Sequence, residues 1–405
     1  MEAVVLAAGE GTRLRPLTVT RPKPMLPVAG KPILEWNLRA LEAAGFKKAV
    51  LIVGYRKDQI IKYFGRKYGR LSLEYVTQEE QLGTGNAVLT AEKHVSGEFV
   101  CMNGDILTSA DTIKKLVQDW NRKKPAASIT LVEVHNPSDY GVVRVRGDIV
   151  TEVHEKPKEP KGKLVSTGIF LFKKEIFDIL RSIKKSSRGE YEITDALKTL
   201  IKKRQVYGFR CRGVWMDIGL PWHLLDANEI MLEEMDLRPS RKARVEKYAV
   251  LKGNVYVGDG TVIRSGSYIE GPAYIGENCV IGPNCYIRPH TMVGDKCHIG
   301  NAVEIKNSIV MSGTKIGHLS YVGDSIVGMD CNFGAGTTTA NLRFDSDGIM
   351  IEVKGMLRDS GRRKFGCIMG DNVKTGINVS IMPGRSIYPG AVIEPTTTVR
   401  NTIYN

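Results

Sequence analysis

The sequence predicts two domains of different fold: an α/β domain with a Rossmann-like sheet, followed by a left-handed parallel β-helix. Up to about residue 220, short apolar runs alternate with amphipathic segments, whereas from Val257 onward branched apolar residues recur every six residues. At 405 residues, the chain also exceeds the roughly 250 to 300 residues at which a single hydrophobic core stops growing. We therefore expect one domain at residues 1–236, including a connecting helix, and a second at residues 237–405.

The first domain is predicted from its alternation of strand-like and helix-like segments. Apolar runs typical of strands lie at 4–6, 49–53, 99–102, 129–134 and 168–172, and amphipathic patterns typical of helices lie at 33–44, 109–122 and 223–234. Such alternation favours an α/β domain with a mostly parallel sheet. Ligands of such sheets gather beyond the carboxyl ends of the strands.

The second domain is predicted from its six-residue period. The apolar series runs through Val257, Ile263, Ile269, Ile275, Ile281, Ile287, Val293, Ile299 and Ile305, continues with two five-residue spacings to Phe333, and resumes from Met369 to Val399. Hexapeptide repeats indicate a parallel β-helix, in which each short strand points one branched side chain inward. Five cysteines occupy the small inward position two residues before an inward apolar residue, which predicts buried free thiols: Cys279, Cys285, Cys297, Cys331 and Cys367.

Charge and hydropathy narrow the class of protein. The net charge is +14, but the lysines and arginines are scattered in short runs such as 184–185 and 362–364, so we expect anionic small-molecule sites and no nucleic-acid partner. No apolar stretch approaches the ~18 residues that span a bilayer, and the chain enters an apolar run at Ala3 without a basic leader. We therefore expect a cytoplasmic protein with no membrane partner.

A glycine-containing loop follows the first predicted strand. It reads Leu6-Ala7-Ala8-Gly9-Glu10-Gly11-Thr12-Arg13, and Pro22-Lys23-Pro24 follows it. Glycines after a strand let backbone N–H groups approach phosphate oxygens, while Arg13 and Lys23 can neutralise a triphosphate. The alternative interpretation of the glycines alone is an ordinary turn with two surface cations.

This string resembles the signature of the nucleoside-diphosphate-sugar pyrophosphorylases, LAAGxGTR followed by PK. The resemblance covers essentially the whole first half and includes segments 78–85, 103–105, 140–141, 155–157, 166–168 and 215–219. It implies a nucleotidyltransferase domain in which Arg13 and Lys23 are catalytic and Gln78 and Gly83 read a pyrimidine base. The nucleotide-binding set that it implies is Leu6, Ala8, Gly9, Gly11, Thr12, Gln78, Gly83 and Thr84.

The same resemblance implies a sugar-phosphate site at Gly141, Glu155, Lys156 and Ser166. Glu155 would bind a sugar hydroxyl and Lys156 a phosphate, although a solvated ion pair is the alternative for these two residues. Gly141 would offer its backbone to the sugar or simply form a turn. Ser166 stands where the family commonly has asparagine, which leaves the identity of the sugar open.

Asp105 and Asp217 are the metal ligands that the resemblance implies. A sugar 1-phosphate is mostly a dianion at neutral pH, so it needs charge neutralisation rather than a general base. Mg²⁺ prefers one or two carboxylates together with phosphate oxygens. Taken singly, Asp105 could instead cap a helix beginning near Ala110, and Asp217 could begin a turn before Gly219.

Polar segments interrupt the hexapeptide repeat at 288–289, 301–306, 317–321 and 334–341. They resemble the acetyltransferase domain of the bacterial bifunctional enzymes that make UDP-N-acetylglucosamine. A lone histidine at a coil corner is usually just exposed, but the resemblance implies that His318 is the general base. It also implies a site for an amino-sugar phosphate and acetyl-CoA made of Arg288, Lys306, Tyr321, Asn332, Ala335, Asn341 and Lys364, with Ala335 in a coenzyme A strip shared between subunits of a homotrimer.

Two departures from that resemblance lie near the cofactor edge. The segment from Leu342 to Arg363 is longer than the bacterial connection and resembles an inserted hairpin. Ile377 replaces a serine that is expected beside the cofactor. The predicted coenzyme A site therefore differs from the bacterial one.

These features favour a bifunctional enzyme with Mg²⁺ as cofactor. Acetyl-CoA would acetylate glucosamine 1-phosphate, or another amino-sugar 1-phosphate, and UTP or dTTP would then donate a nucleotidyl group to the product with release of pyrophosphate. One alternative is a glucose-1-phosphate uridylyl- or thymidylyltransferase with a purely structural β-helix. The other is a non-catalytic binding subunit like those of a translation exchange factor.

Overall fold

The computed structural model describes residues 1–203, 205–211, 213–345 and 347–404. The chain forms two compact units. The first contains Met1–Glu10, Pro22–Met25 and Ile33–Asp217, and the second contains Gly11–Arg21, Leu26–Pro32 and the chain from Ile218 onward. The chain therefore passes between the two units several times near its N-terminus. The boundary at residues 236–237 stays a prediction.

Seven helices are described, and α4 shows how the sequence sets a helix start. Ser109 caps α4 because its side chain accepts a hydrogen bond from the backbone N–H of Thr112. None of the helices in the described ranges combines the length and apolar character that a membrane crossing requires. The helices are α1 (Ile33–Ala43), α2 (Lys57–Phe64), α3 (Thr84–Leu89), α4 (Ala110–Lys123), α5 (Ile176–Ser182), α6 (Ile193–Lys202) and α7 (Pro221–Glu234).

Fourteen strands precede α7 in the described residues. In chain order they are β1 (Glu2–Ala7), β2 (Pro27–Val28), β3 (Lys31–Pro32), β4 (Lys48–Val53), β5 (Lys67–Tyr68), β6 (Leu71–Thr77), β7 (Phe99–Asn103), β8 (Ile106–Thr108), β9 (Ala127–Glu133), β10 (Gly141–Arg146), β11 (Ile149–Glu155), β12 (Leu164–Phe172), β13 (Val206–Arg210) and β14 (Trp215–Asp217). Ten of them form one sheet in the order β10-β11-β13-β9-β12-β7-β1-β4-β6-β5.

This sheet is mixed, so the expectation of a mostly parallel sheet is wrong. β7, β1, β4 and β6 are parallel neighbours, but β12 lies antiparallel between β7 and β9, and β10 and β11 form an antiparallel pair. The reason is that β10, β11 and β12 follow one another without the crossover helix that a parallel pair requires. The carboxyl ends of β1, β4, β6 and β7 nevertheless meet at one edge of the sheet.

Helices cover both faces of the sheet, as the alternation of side chains along β1 requires. Val4 lies in one buried cluster with residues of α3, α5 and α6. Val5, its neighbour, lies in another buried cluster with residues of α1, α2 and α4. The first unit is therefore a three-layer α/β structure.

Short strands build the second unit, parallel in the coils and antiparallel in one hairpin. They are β15 (Arg244–Val245), β16 (Val250–Lys252), β17 (Val255–Val257), β18 (Val262–Ile263), β19 (Tyr268–Glu270), β20 (Ala273–Ile275), β21 (Val280–Ile281), β22 (Tyr286–Ile287), β23 (Thr291–Val293), β24 (His298–Asn301), β25 (Glu304–Lys306), β26 (Ile309–Val310), β27 (Lys315–His318), β28 (Tyr321–Gly323), β29 (Ile326–Val327), β30 (Asn332–Phe333), β31 (Thr338–Thr339), β32 (Met350–Val353), β33 (Met356–Asp359), β34 (Cys367–Met369), β35 (Lys374–Thr375), β36 (Ser380–Ile381), β37 (Arg385–Ile387), β38 (Val392–Ile393) and β39 (Thr398–Val399).

In the described residues, all of these strands except β32 and β33 form three parallel sheets of eight, eight and seven members. When those two are left out of the count, every third strand belongs to the same sheet. The apolar series predicted from the six-residue period is the core of the coils: Ile263, Ile281 and Ile299, for example, are fully buried. All five repeat cysteines are buried and free, as predicted. The predicted fold class, a Rossmann-like α/β domain followed by a left-handed parallel β-helix, is confirmed.

The predicted insertion contains an antiparallel hairpin of β32 and β33. The hairpin interrupts the coils only locally, because the backbone N–H of Phe365 donates to the carbonyl of Asn341 at 2.9 Å. The chain thus leaves the β-helix after Asn341 and returns beside the same residue.

Two candidate active sites

The loop after β1 is fixed by neighbouring strands. The Leu6 carbonyl accepts from the Gly104 N–H at 2.8 Å, and the Ala8 carbonyl accepts from the Tyr55 N–H at 3.1 Å and from Gln81 Nε2 at 3.0 Å. At Gly9, an added β-carbon would meet no atom within 4 Å. Gly9 therefore faces open space at the carboxyl edge of the sheet, where a ligand can approach its backbone.

Gln78, Gly83 and Thr84 lie at the same edge, after β6. Gln78 is buried, its N–H donates to the Val53 carbonyl at 2.8 Å, and its Nε2 donates to Asn86 Oδ1 at 2.8 Å. Gly83 has φ +107, and a β-carbon there would lie 2.7 Å from the Tyr191 carbonyl oxygen. Only glycine fits this position without strain.

Lys23 and Asp105 form the charged centre of this site. Lys23 Nζ lies 2.5 Å from Asp105 Oδ2 and is almost fully buried, while Asp105 Oδ1 is buried and accepts no hydrogen bond from the described part of the chain. Asp217, at the end of β14, pairs with Ile106, the residue that follows Asp105. Since Ser109 caps α4, the alternative role of Asp105 as helix cap is wrong.

These carboxylates fit Mg²⁺ in number and chemistry. In residues 1–203, 205–211, 213–345 and 347–404, no group of three or more His, Cys, Asp or Glu side chains is placed to hold a metal. Mg²⁺ needs no such cage, because it takes one or two carboxylates and fills its other positions with phosphate oxygens and water. The partnerless Asp105 Oδ1 is an oxygen ligand of the required kind.

The predicted sugar-phosphate residues gather on β10, β11 and β12. Gly141 pairs with Glu155, and a β-carbon at Gly141 would lie 3.3 Å from Glu155 Oε2 and 3.8 Å from Ser166 Cβ. Burial raises the pKa of Glu155, with Lys156 acting in the opposite direction. Lys156 follows directly, and its N–H donates to the Tyr140 carbonyl at 3.0 Å.

Sequence reasoning missed Arg188 at this site. One guanidinium nitrogen lies 3.8 Å from Glu155 Oε1 and 2.7 Å from Oε1 of Glu192, whose side chain is almost fully buried. Arg188 lies in a polar loop between α5 and α6 that also contains Lys184 and Lys185, so no local pattern distinguishes it. Its place opposite Glu155 becomes visible only when the loop is folded.

Gly11, Thr12 and Arg13 belong to the second compact unit with the β-helix. Thr12 and Arg13 lie in a short 3₁₀ turn that ends at Leu14, and the hydroxyl of Thr18 donates to the Gly11 carbonyl at 2.9 Å. The predicted nucleotide-binding set is thus divided, because its other members lie in the first unit.

In the β-helix, the buried carboxylate of Asp324 connects several predicted site residues. It accepts hydrogen bonds from Lys306 Nζ at 3.2 Å, Asn307 Nδ2 at 2.7 Å and Asn341 Nδ2 at 2.5 Å. Asn341 Nδ2 also lies 3.2 Å from the Tyr321 hydroxyl, to which it donates. We call Lys306, Asn307, Tyr321, Asp324 and Asn341 the Asp324 cluster.

Sequence reasoning missed Asp324, although a signal exists. Asp324 has φ +49, and the corresponding residue of the preceding coil, Asn307, has φ +43. Asparagine, aspartate and glycine are the usual residues in this conformation, so the position resembles an ordinary coil corner. Its burial distinguishes it from a corner that faces solvent.

His318 and Arg288 lie on coils beside this cluster. His318 is exposed at the end of β27, three residues before Tyr321. Arg288 donates to Glu304 Oε1 at 2.9 Å, and Glu304 pairs in register with Tyr321 of β28. The structure therefore brings one histidine, two cationic and two polar side chains to neighbouring coils: His318, Arg288, Lys306, Tyr321 and Asn341.

The remaining predicted residues surround this group. Asn332 pairs in register with Lys315 of β27, and Ala335 follows three residues later, one coil beyond His318. The Ala335 carbonyl accepts from the Asn378 N–H at 2.8 Å. Lys364 is exposed and forms an isolated bridge with Leu342, next to Asn341.

Fold and site geometry define a nucleotidyltransferase domain joined to a β-helix that carries a second polar site. Residues 2–234 match the family described as nucleotidyl transferase, and residues 269–403 match the GMPPB C-terminal domain. The β-helix match includes the Asp324 cluster.

Curated relatives extend over the whole chain. The Bifunctional protein GlmU of Methanococcus vannielii is 44% identical over 97% of this chain and 93% of its own, and that of Methanococcus maripaludis strain C7 is 48% identical over 100% and 95%. A bifunctional sugar-1-phosphate nucleotidylyltransferase/acetyltransferase of Sulfurisphaera tokodaii is 41% identical over 97% of both chains. The chain belongs to the GlmU family of bifunctional proteins, which confirms the resemblance found in its sequence.

Solved structures match the first part of the chain. A putative glucose-1-phosphate thymidylyltransferase from Bacillus anthracis, crystallised with sucrose, is 29% identical with a TM-score of 0.53. It covers 57% of this chain and 95% of its own. This similarity supports the nucleotidyltransferase fold of the first unit.

Proposed function

We propose that this chain is a bifunctional enzyme that makes a UDP-N-acetyl-amino sugar. Acetyl-CoA acetylates glucosamine 1-phosphate, or another amino-sugar 1-phosphate, at the β-helix. The product then takes a uridylyl group from UTP at the first site, with release of pyrophosphate. The observation that carries the proposal is the presence of two separate polar sites, at Lys23–Asp105 and at the Asp324 cluster, in a chain with full-length bifunctional relatives.

Nucleotidyl transfer needs positioning and charge neutralisation. The sugar-phosphate oxygen attacks the α-phosphorus, the new P–O bond forms, and the bond to pyrophosphate breaks. Lys23 and Arg13 would neutralise phosphate charge, while Gln78 and Gly83 hold the base and Glu155 and Lys156 hold the sugar phosphate. Mg²⁺, held by Asp105 and Asp217, would supply further positive charge to the phosphate oxygens.

Acetyl transfer needs a base for the amine. The amine nitrogen attacks the thioester carbonyl carbon, a C–N bond forms, and the C–S bond breaks to release the coenzyme A thiol. His318 would accept the proton that the nitrogen loses as the C–N bond forms and would return it to the departing sulfur, since an imidazole is suited to general acid–base catalysis. Lys306 and Arg288 would hold the phosphate, Tyr321 and Asn341 the sugar, and Asn332, Ala335 and Lys364 would line the acetyl-CoA side.

Several finer points remain predictions from the sequence. They are the homotrimer and the cytoplasmic location; the sequence leaves open whether UTP or dTTP is the donor and which sugar Ser166 contacts. The assay that addresses the substrates is a matrix of nucleoside triphosphates against sugar 1-phosphates, with and without acetyl-CoA.

The two alternatives are weaker. A purely structural β-helix does not require the buried carboxylate of Asp324, whose burial costs desolvation energy unless it serves a ligand or specifies the coil packing. A non-catalytic exchange-factor-like subunit does not require a buried lysine paired with the carboxylate of Asp105. Neither alternative accounts for both sites.

Two substitutions in the full-length chain test the proposal. Asp105→Asn should abolish pyrophosphate release and leave acetyl transfer, whereas His318→Ala should abolish acetyl transfer and leave pyrophosphate release. Both rates are measured on the same preparations, with acetyl-CoA consumption followed through the released thiol. Loss of both activities in either variant would contradict two independent sites, and a wild-type chain that consumes no acetyl-CoA with any amino-sugar phosphate would refute the acetyltransferase.

A further inference from the structure

The segment that carries Arg13 is held by a buried ion pair with the β-helix. Arg21 is 8% exposed, and its guanidinium donates to a carboxylate oxygen of Asp371, which is 7% exposed. The Thr20 hydroxyl donates to the same oxygen at 2.7 Å, and the other Asp371 oxygen accepts from the Met329 N–H at 2.8 Å. The carboxylate of Asp371 is therefore fully used in holding residues 20 and 21 to two coils.

A second attachment lies just after Lys23. In the turn between β2 and β3, the Ala29 N–H donates to Oδ1 of the fully buried Asn228, whose Nδ2 donates to the His290 carbonyl at 2.8 Å. Gly30 follows with φ +82, and a β-carbon there would lie 2.2 Å from the ring of Tyr274. The chain is thus fixed to the second unit on both sides of Pro22–Met25.

Between these two attachments lies the lysine of the first site. Arg21 stands two residues before Lys23 and eight after Arg13 in the chain. Lys23 Nζ in turn reaches Asp105 Oδ2 at 2.5 Å. Since consecutive α-carbons are about 3.8 Å apart, a shift of the backbone at Arg21 displaces Lys23 unless the intervening residue absorbs it.

The energetics of the pair favour a rigid attachment. Leaving one member of a buried ion pair without its partner is strongly destabilising, so the guanidinium of Arg21 stays on the Asp371 carboxylate. An arginine guanidinium in contact with a carboxylate is also restricted in direction, unlike a lysine ammonium. The contact therefore fixes the direction of the chain at Arg21 as well as its distance from the coil.

We propose that Asp371, a residue of the β-helix, is a positioning residue for nucleotidyl transfer. It holds Arg21 and thereby sets the backbone that carries Arg13 and leads into Lys23. This inference rests on the proposed function of the first site. It predicts that nucleotidyl transfer depends on a side chain that touches none of the residues assigned to either reaction.

The chain offers a matched control for this test. Asp295 follows a glycine and an inward apolar residue, as Asp371 does, and its Oδ1 accepts a backbone N–H, that of Glu277, at 2.8 Å. Asp295 is exposed. Asp371→Asn and Asp295→Asn therefore make the same chemical change at the same kind of coil corner, but only the first removes a charge that faces Arg21.

The experiment measures both reactions of the full-length variants at a temperature well below their unfolding transitions. Because a misplacement of about 1 Å can cost on the order of 100-fold in rate, Asp371→Asn should lower kcat of pyrophosphate release about 10- to 100-fold. KM for the triphosphate should change less than kcat, acetyl transfer should be unchanged, and Asp295→Asn should alter neither rate. Arg21→Lys, which keeps the charge, should give an intermediate kcat.

Two results would overturn the inference while the wild-type chain is active. One is an Asp371→Asn variant that keeps the wild-type rate of pyrophosphate release. The other is a parallel loss of both activities, which would show a general effect on the fold. A wild-type chain that releases no pyrophosphate would instead refute the proposed function, and the inference with it.

Discussion

Asp324→Ala should remove acetyl transfer and lower the stability of the β-helix. The carboxylate is 2% exposed and accepts hydrogen bonds from Lys306, Asn307 and Asn341. Removing one partner of a buried ion pair costs about 3–5 kcal/mol. Because Lys306 keeps 21% of its side chain exposed, we expect the lower end, about 3 kcal/mol. At about 2–4 °C per kcal/mol for a domain of this size, Tm should fall by about 6–12 °C.

Thermal unfolding and acetyl-CoA consumption measure the two effects on the same variant. Asp324→Asn is the control, because it keeps the volume and one acceptor oxygen and should lose less stability. Pyrophosphate release below the transition should be retained in both variants. A fall in Tm of less than about 2 °C for Asp324→Ala, or an unchanged rate of acetyl transfer, would refute the argument that this carboxylate organises the site.

Two further predictions concern the first unit. Burial raises the pKa of Glu155 above its ordinary value of 4.5. The stability that protonated Glu155 contributes to the fold is therefore fully present below pH 4.5 and is lost as the pH rises through the raised pKa. Glu155→Gln should therefore raise Tm at pH 7, lose this gain in acid, and raise KM for the sugar 1-phosphate; a gain independent of pH would contradict the assignment. Gly9→Ala should leave Tm unchanged, since the added β-carbon meets no protein atom, but it should impair pyrophosphate release. Gly83→Ala should lower both Tm and the rate of pyrophosphate release, because its β-carbon clashes with the Tyr191 carbonyl. Equal Tm values for the two variants would contradict this.

The fold was predictable where a period repeats along the chain. Ile263 and Ile281 mark the inward apolar position of the repeat, Cys279 marks the small inward position two residues before it, and the coils bury all three. The mixed sheet was less predictable, because an apolar run such as 168–172 carries no information about the direction of its neighbours. β12 extends this run to Leu164 and lies antiparallel to β7 and β9.

The candidate sites were predictable where family motifs carry them. Lys23 and Asp105 were both found in this way, and the structure places Lys23 Nζ 2.5 Å from Asp105 Oδ2. Asp324 and Arg188 were missed because each is a single charged residue whose significance comes from partners on other elements. Burial of Asp324 and the position of Arg188 opposite Glu155 depend on coils and loops that no local pattern specifies.

The hydrogen bond from Thr20 to Asp371 affects when the chain can complete its fold during translation. These residues are separated by 351 positions, and at a synthesis rate of about 5–20 residues per second the second emerges on the order of tens of seconds after the first. During that interval the segment that carries Thr20 has been synthesised, but the coil that carries Asp371 has not. Nucleotidyl transfer should accordingly reach its full rate only when translation is nearly complete, however early the α/β domain itself folds.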